Sequence, residues 1–149
     1  IIMSLLEARL PIVSLTVMVQ KEAAQRLCAA PGSREVGAVS IAVQYYSQPQ
    51  VLFQVSRGSF MPSPDVDSTV IRLDVRQQPP VQLKKEEDFF RVVKAAFSQR
   101  RKTLPNTLSA GLAIPKQQAL DLLERAGVAS NLRAEQLSMQ QFADIANAL

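Results

Sequence analysis

Three consecutive cations, Arg100, Arg101 and Lys102, are the residues whose type and spacing most readily suggest chemistry. They follow Lys94 in a predicted amphipathic helix over residues 88–104, and we expect its basic residues to face no carboxylate on that helix. A row of unpaired cations can bind successive phosphates, each contact displacing a counterion. The alternative is a solvated face that keeps the protein soluble, and spacing does not separate the two. Because Arg100 falls on the apolar side of the helix, it should reach a domain interface or extend outward to water.

A second candidate group lies in the segment SFMPSPDVDSTVIRLDV, where Phe60, Pro62 and Pro64 precede a predicted strand. Proline fixes φ and lacks a backbone donor, so these prolines should hold the segment extended and outside the sheet. Phe60 would then lie on a rigid loop, where an aromatic ring can stack on a base. Asp67 and Ser68 add polar groups beside it. The alternative, which the residues alone favour, is a hydrophobic plug at the end of a sheet.

The composition excludes several other kinds of site. The 149 residues include no histidine, which rules out His-based catalytic triads and His-based metal sites, and we expect no metal. Cys28 is the only cysteine, so no intrachain disulfide can form, and its apolar surroundings favour a core residue over a nucleophile. A net charge of +4 permits a polyanionic partner without demanding one. No apolar run reaches membrane-spanning length, and we expect a cytoplasmic protein with no membrane partner.

The elements that must position these residues divide into an α/β half and a helical half. The first half predicts helix, strand, helix, helix, strand, turn and strand, with the last two strands antiparallel. The strand over residues 12–20 is apolar on both faces, as in a buried central strand. Two helices follow it in sequence, and Pro49 should end the second of them. Because the chain opens on an uncapped helical pattern and three strands are few, we expect a fragment of a longer protein.

The predicted domain organisation follows from a change in composition after the third strand. Residues 1–76 hold the predicted strands, residues 77–87 form a polar linker with two prolines, and residues 88–149 are helical. We expect three helices in the last segment. Pro115 and Gly127 should mark the ends of the second, and Ser138 should cap the third.

Five blocks of the sequence together resemble the ribosomal RNA adenine N6,N6-dimethyltransferases, which modify small-subunit rRNA. The blocks follow the family's order over nearly the whole chain, and they are VQKEAAQRL, GAVSIAVQYY, SFMPSPDVDS, AFSQRRKTLPNTL and LRAEQLSMQQFADIANAL. Individually each is weak, but together they are specific. Two departures are Val36, where the family often has an aromatic residue, and Pro105, which replaces a basic residue and should end the cationic helix early.

The resemblance implies the C-terminal part of a Rossmann-like methyltransferase sheet followed by a small all-α domain. It implies an enzyme that transfers methyl groups from S-adenosylmethionine to two adjacent adenosines near the 3′ end of 16S rRNA in the small ribosomal subunit. The target adenine must leave its stack to reach the methyl donor. The implied base-pocket residues are Phe60, Pro62, Pro64 and Ser68, and the implied RNA-binding residues are Arg100, Arg101, Lys102 and Lys94, with Lys21 and Arg26 as weaker candidates.

Several family motifs are absent from the 149 residues. These are the glycine-rich loop that cradles the methyl donor, the acidic residue that holds its ribose, and the N-L-P-Y-type motif that polarises the adenine amine. We therefore expect the chain alone neither to bind S-adenosylmethionine nor to methylate RNA. Two alternatives remain, a non-catalytic RNA-binding or ribosome-assembly module and an erythromycin-resistance methylase acting on 23S rRNA, although the Q-R-R-K-T-L block argues against the latter. The oligomeric state is open, since an exposed sheet edge would favour association.

Overall fold

A computed structural model describes residues 1–63 and 65–149 of the chain. The backbone divides into two compact units, the first made of Ile1–Ala29 and Ala42–Pro80 and the second of Ala30–Ile41 and Val81–Leu149. The order of elements confirms the predicted α/β portion followed by a helical portion. None of the helices in the described residues is long and apolar enough to cross a membrane.

The first unit contains a three-stranded antiparallel sheet in the order β1-β3-β2. The strands are β1 (Ser14–Gln20), β2 (Ser47–Val55) and β3 (Ser68–Val75), and the helices are α1 (Ile2–Glu7), α2 (Lys21–Leu27) and the end of α3 (Ala38–Tyr46). The predicted antiparallel pairing of the last two strands is confirmed, and β1 also pairs antiparallel with β3. On one face of β3, Ile71 and Leu73 are fully buried, and Val43 and Tyr45 of α3 contribute to the same unit's core.

Two details of the strands differ from the predictions. The buried central strand is β3, whereas β1 is an edge strand of the described sheet and its Met18 is 52% exposed. Pro49 does not end a helix, because α3 already ends at Tyr46 and Pro49 lies inside β2 opposite Leu73. An edge strand tolerates proline because one side of its ladder needs no donor.

The second unit packs four α-helices, where three were predicted. They are α4 (Glu86–Ala96), α5 (Leu104–Leu112), α6 (Lys116–Ala126) and α7 (Met139–Asn147). Their apolar faces bury Phe89, Leu108, Leu122 and Phe142 completely. This periodic burial, rather than intrinsic propensity, is what stabilises helices of nine to eleven residues.

The predicted single helix over residues 88–104 is wrong. Helix α4 ends at Ala96, a turn follows, and α5 begins at Leu104. Pro105 does not terminate a helix here, because it lies in the first turn of α5, where its missing N–H would have no intrahelical partner. Gly111 of α5 packs directly against Ala95 of α4, so the two helices approach closely.

The caps of the last two helices match the predictions. Pro115 precedes α6, and Gly127 ends it in the left-handed region at φ 72°. Ser138 caps α7 through a reciprocal pair of hydrogen bonds, in which its Oγ accepts from Gln141 N at 3.2 Å and Gln141 Oε1 accepts from Ser138 N at 2.9 Å.

Candidate nucleic-acid interface

Asp67 lies at the end of the hairpin loop (residues 56–67) that joins β2 to β3, and it hydrogen-bonds to the start of that loop and to the start of α2. Its Oδ1 accepts a hydrogen bond from Arg57 N at 2.9 Å, and its carbonyl oxygen accepts from Lys21 N at 3.0 Å. Arg57 Nη1 adds a bond to the carbonyl oxygen of Asp65 at 3.0 Å. Hydrogen bonds between Arg57, Asp65 and Asp67 therefore hold the two ends of the loop together. Sequence reasoning had treated Asp67 only as a polar neighbour, because its bonding partners are ten residues away or on another element.

The predicted base-pocket residues lie on or beside this loop. Phe60 is half-buried with extended backbone, Pro62 is exposed, and Ser68 is the half-buried first residue of β3. Met61, between the ring and the proline, is 99% exposed. Pro64 lies outside the described residues. The loop thus presents an aromatic ring that is partly accessible, as base stacking requires.

Backbone hydrogen bonds close the turn between α4 and α5, residues 97–103, which we call the cationic turn. Phe97 N donates to Val93 O at 3.1 Å, and Lys102 N donates to Gln99 O at 3.2 Å. Ser98 Oγ donates to Ala95 O at 2.7 Å, which satisfies a carbonyl at the end of α4. The three predicted RNA-binding cations therefore lie in a turn and not on a helix face.

Within the cationic turn, Arg100 has a different environment from its two neighbours. Its Nη2 donates to the carbonyl oxygens of Arg34 at 2.9 Å and Val36 at 3.0 Å, so it links the turn to the loop before α3. Arg101 and Lys102 are exposed, and in the described residues no carboxylate lies within ion-pairing distance of either. Arg101 and Lys102 are therefore exposed and without an ion pair in the described part of the chain, whereas Arg100 is bound to two backbone carbonyls.

The remaining predicted cations are distributed over two helices. Lys94 is exposed in the last turn of α4 and has no ion pair among the described residues. Arg91, one turn earlier, pairs with Asp88 at 3.4 Å, so the expectation that this helix's basic residues face no carboxylate is wrong there. Lys21 and Arg26 stand at the two ends of α2, where Arg26 is exposed and already has a contact of its own.

Two further arginines are carried by loops that hydrogen-bond near the cationic turn. Leu104 N donates to Leu132 O at 3.0 Å, which places the loop that carries Arg133 beside the start of α5. The Arg34 loop is the one that Arg100 binds. Both arginines are exposed. The sequence alone did not single them out, because each is a lone cation within two residues of a glutamate, in SREV and in LRAEQ.

The described residues offer little other reactive chemistry. Burial raises the pKa of the Cys28 thiol above its ordinary value, which disfavours the nucleophilic thiolate. Within residues 1–63 and 65–149, no three His, Cys, Asp or Glu side chains come together as a candidate metal site.

Comparison with known proteins agrees with the sequence motifs. A model of the family described as ribosomal RNA adenine dimethylase matches residues 1–149. A protein of Lachnoclostridium phytofermentans named ribosomal RNA small subunit methyltransferase A is 46% identical over 99% of this chain and 51% of its own length. A protein of the same name from Geobacillus thermodenitrificans is 49% identical over 100% of this chain and 52% of its own length.

A solved structure supports the fold. The crystal structure of a dimethyladenosine transferase from Plasmodium falciparum superposes with a TM-score of 0.79 at 24% identity, covering 94% of this chain and 58% of that one. The chain spans about half the length of the curated relatives it matches. Because the family match extends over every residue, the chain belongs to the ribosomal RNA adenine dimethylase family.

Proposed function

We propose that this chain is part of a cytoplasmic rRNA adenine N6,N6-dimethyltransferase acting on 16S rRNA of the small ribosomal subunit, and that it holds the RNA substrate. The observation that carries the proposal is the cationic turn, where Arg101 and Lys102 are exposed without a carboxylate partner on a backbone fixed by hydrogen bonds. The small-subunit name of the relatives supports the choice of RNA.

Arg101 and Lys102 would contact phosphates, and Arg100 would position them. The two bonds from Arg100 to the Arg34 and Val36 carbonyls would hold the turn in one orientation. A fixed pair of cations loses less conformational entropy on binding than two cations on a mobile loop. Phosphate contacts of this kind set affinity and register without reading the base sequence.

Phe60 would hold the target adenine after it leaves its stack. The hairpin loop is braced at Asp67, so the half-buried ring has a defined position before RNA arrives. Pro62 and Pro64 would shape the pocket beside it, with Ser68 at its base. Stacking of an extruded base on an aromatic ring is the usual way that base-modifying enzymes hold it.

The residues present do not fit the methyl donor, S-adenosylmethionine. Its binding would need a glycine cradle, yet the five glycines are dispersed along the sequence and Gly111 packs against Ala95. We therefore infer that the donor site belongs to the part of the enzyme that this chain lacks. The chain alone would act as a non-catalytic RNA-binding module, which is the second candidate function.

The salt dependence of RNA binding tests the proposal. Replacing Arg101 and Lys102 with alanine should weaken binding to small ribosomal subunits and lower the slope of log K against log salt by about 1.5, since each phosphate contact contributes roughly 0.7–0.9. The matched control is Lys85→Ala with Lys116→Ala, which removes the same charge from two other exposed positions. If both double variants gave the same slope of log K against log salt, the cationic turn would be a solvated surface with no phosphate contacts.

Titration calorimetry tests the missing donor site. We expect no heat of binding when S-adenosylmethionine is added to the chain at concentrations up to a millimolar. Micromolar binding would show that the residues present do form a donor site, and the inference that this site lies in another part of the enzyme would then fail.

A further inference from the structure

A cavity of about 440 Å³ opens at the end of the sheet farthest from the hairpin loop, and we call it the strand-end cavity. It lies between the segment after α1, the end of α3 and the chain that leaves β3 at Val75. The eight-residue strand β3 separates it from the loop by roughly 23 Å, at about 3.3 Å per residue. Its size falls in the range of small-molecule sites, about 300–1,000 Å³.

Two arginines, Arg9 and Arg76, line the strand-end cavity. The guanidinium carbon of Arg9 lies 5.8 Å from the centroid of the Tyr46 ring, a cation–π contact. Arg76 N donates to Tyr46 O at 2.9 Å, while Arg76 Nε donates to Gln44 O at 2.9 Å. Both arginines therefore line the same cavity, Arg9 with its guanidinium on the Tyr46 ring and Arg76 with its guanidinium bound to the Gln44 carbonyl.

The backbone of Arg9 is in an unusual conformation. Its φ is 50°, in the left-handed region that residues other than glycine rarely adopt. Residues in such conformations cluster at ligand sites, where the surrounding structure holds them. Arg76 is also partly withdrawn from water, and burial lowers its pKa below the ordinary arginine value. A guanidinium that has lost hydration gains more from an anionic partner than one in water does.

The rest of the lining is apolar or aromatic. Leu6, Ile12 and Val75 provide aliphatic surface, and Tyr45 packs edge-on against Tyr46 with ring centroids 5.1 Å apart. Among the described residues that line the strand-end cavity there is no aspartate or glutamate. Two cations, an aromatic surface and no carboxylate match a ligand with an anionic end and a flat apolar body.

We propose that the strand-end cavity binds a small phosphate ester that carries an aromatic ring and is about the size of a nucleoside monophosphate. Arg9 and Arg76 bind the phosphate, because guanidinium groups match its oxygens with paired N–H donors. The ring packs between Tyr46 and the aliphatic wall. This site lies at the other end of β3 from Phe60 and does not depend on the proposed role in holding RNA.

The two tyrosines of the chain give a direct readout, because both line the strand-end cavity. The chain labelled with 3-fluorotyrosine should show two ¹⁹F signals, both reporting on this site. We expect adenosine monophosphate to shift both signals saturably, and adenosine or inorganic phosphate to bind at least about tenfold more weakly. No saturable shift up to several millimolar adenosine monophosphate, or equal affinity for adenosine, would overturn the proposal.

Charge variants separate phosphate recognition from nonspecific attraction. Arg9→Gln and Arg76→Gln should each weaken binding of adenosine monophosphate about tenfold or more, the loss expected for one charge-assisted hydrogen bond, and leave the affinity for adenosine unchanged. Arg76→Gln loses the hydrogen bond from Arg76 to the Gln44 carbonyl and could unfold for that reason, in which case Arg9→Gln still tests the proposal. The control is Arg72→Gln, which removes an exposed charge already paired with Asp74 at 2.8 Å. Wild-type affinity in both cavity variants would contradict the assignment.

Discussion

Replacing Gly111 with alanine tests the close packing of α4 on α5. A Cβ atom at this position would overlap the Cβ of Ala95 and lie 2.6 Å from its Cα. Packed carbon atoms normally stay about 3.5–4.0 Å apart. The Cα is part of the helix backbone and cannot rotate away, so the two helices would have to separate by about 1 Å.

The expected cost follows from two opposing effects. Alanine is favoured over glycine inside a helix by about 1 kcal/mol, whereas forcing an extra carbon into a packed core costs typically 1–3 kcal/mol. Separation of the helices also loosens Val92 and Leu108, which are fully buried. The overlap is with backbone, so we expect the upper part of that range and a net loss of about 1–2 kcal/mol. In a unit of about 80 residues this lowers Tm by roughly 4–16 °C.

Thermal unfolding followed by circular dichroism measures the effect, and amide exchange in α5 localises it. Asn106→Ala, an exposed position on the same helix, is the control and should raise stability slightly through helix propensity. The double change Ala95→Gly with Gly111→Ala should recover only part of the loss, because the Ala95 Cα remains too close. A higher Tm for Gly111→Ala alone would refute the reasoning, since helix propensity would then outweigh the contact.

Three further predictions follow from the hydrogen bonds and from burial. Arg100→Ala should speed amide exchange over residues 34–37, whereas Arg101→Ala should not, because only Arg100 binds the carbonyls of that loop; equal effects would contradict the division of roles within the cationic turn. Asp67→Ala should speed exchange of the Arg57 amide by about tenfold, the loss expected for one hydrogen bond to a charged acceptor, while Asp67→Asn, which keeps an oxygen acceptor, should have a smaller effect. Alkylation of Cys28 by iodoacetamide should reach half its maximal rate at a higher pH in the folded chain than in urea, because burial raises the thiol pKa; a midpoint at or below the urea value would show that the thiol is not desolvated.

The pairing of the last two strands and the helix caps were the most predictable parts of the fold. The strand Ser68–Val75 follows from its alternating residues after a proline-containing loop, and Ser138 follows from the pattern of a capping box. Such signals are local, so the sequence contains them in full. The same holds for Gly127, whose left-handed conformation ends α6 as its residue type suggests.

The end of α4 could not be predicted because it depends on tertiary contacts. The run from Phe97 to Leu104 has helical composition, but Arg100 bonds to the loop before α3 and Leu104 N bonds to Leu132 O. The bonded residues are separated by between 28 and 66 positions in the sequence, and hydrophobic periodicity does not predict contacts over such distances. The sequence pattern also does not indicate that residues 30–41 belong to the same unit as helices α4 to α7. One contact that joins them is the hydrogen bond from Gly32 N to Glu135 O, at 2.6 Å.

The turn changes how the three cations would meet RNA. On a straight helix, consecutive residues point about 100° apart, so Arg100, Arg101 and Lys102 could not all face one strand. In the cationic turn, Arg100 is committed to two backbone carbonyls, and the other two side chains are exposed from a backbone that Arg100 holds in place. In the proposed function, the break in the helix would separate one positioning arginine from two cations that bind phosphate. Replacing Arg100 should then weaken RNA binding through loss of order, with a smaller change in salt slope than removal of Arg101 and Lys102, to which we assign the phosphate contacts.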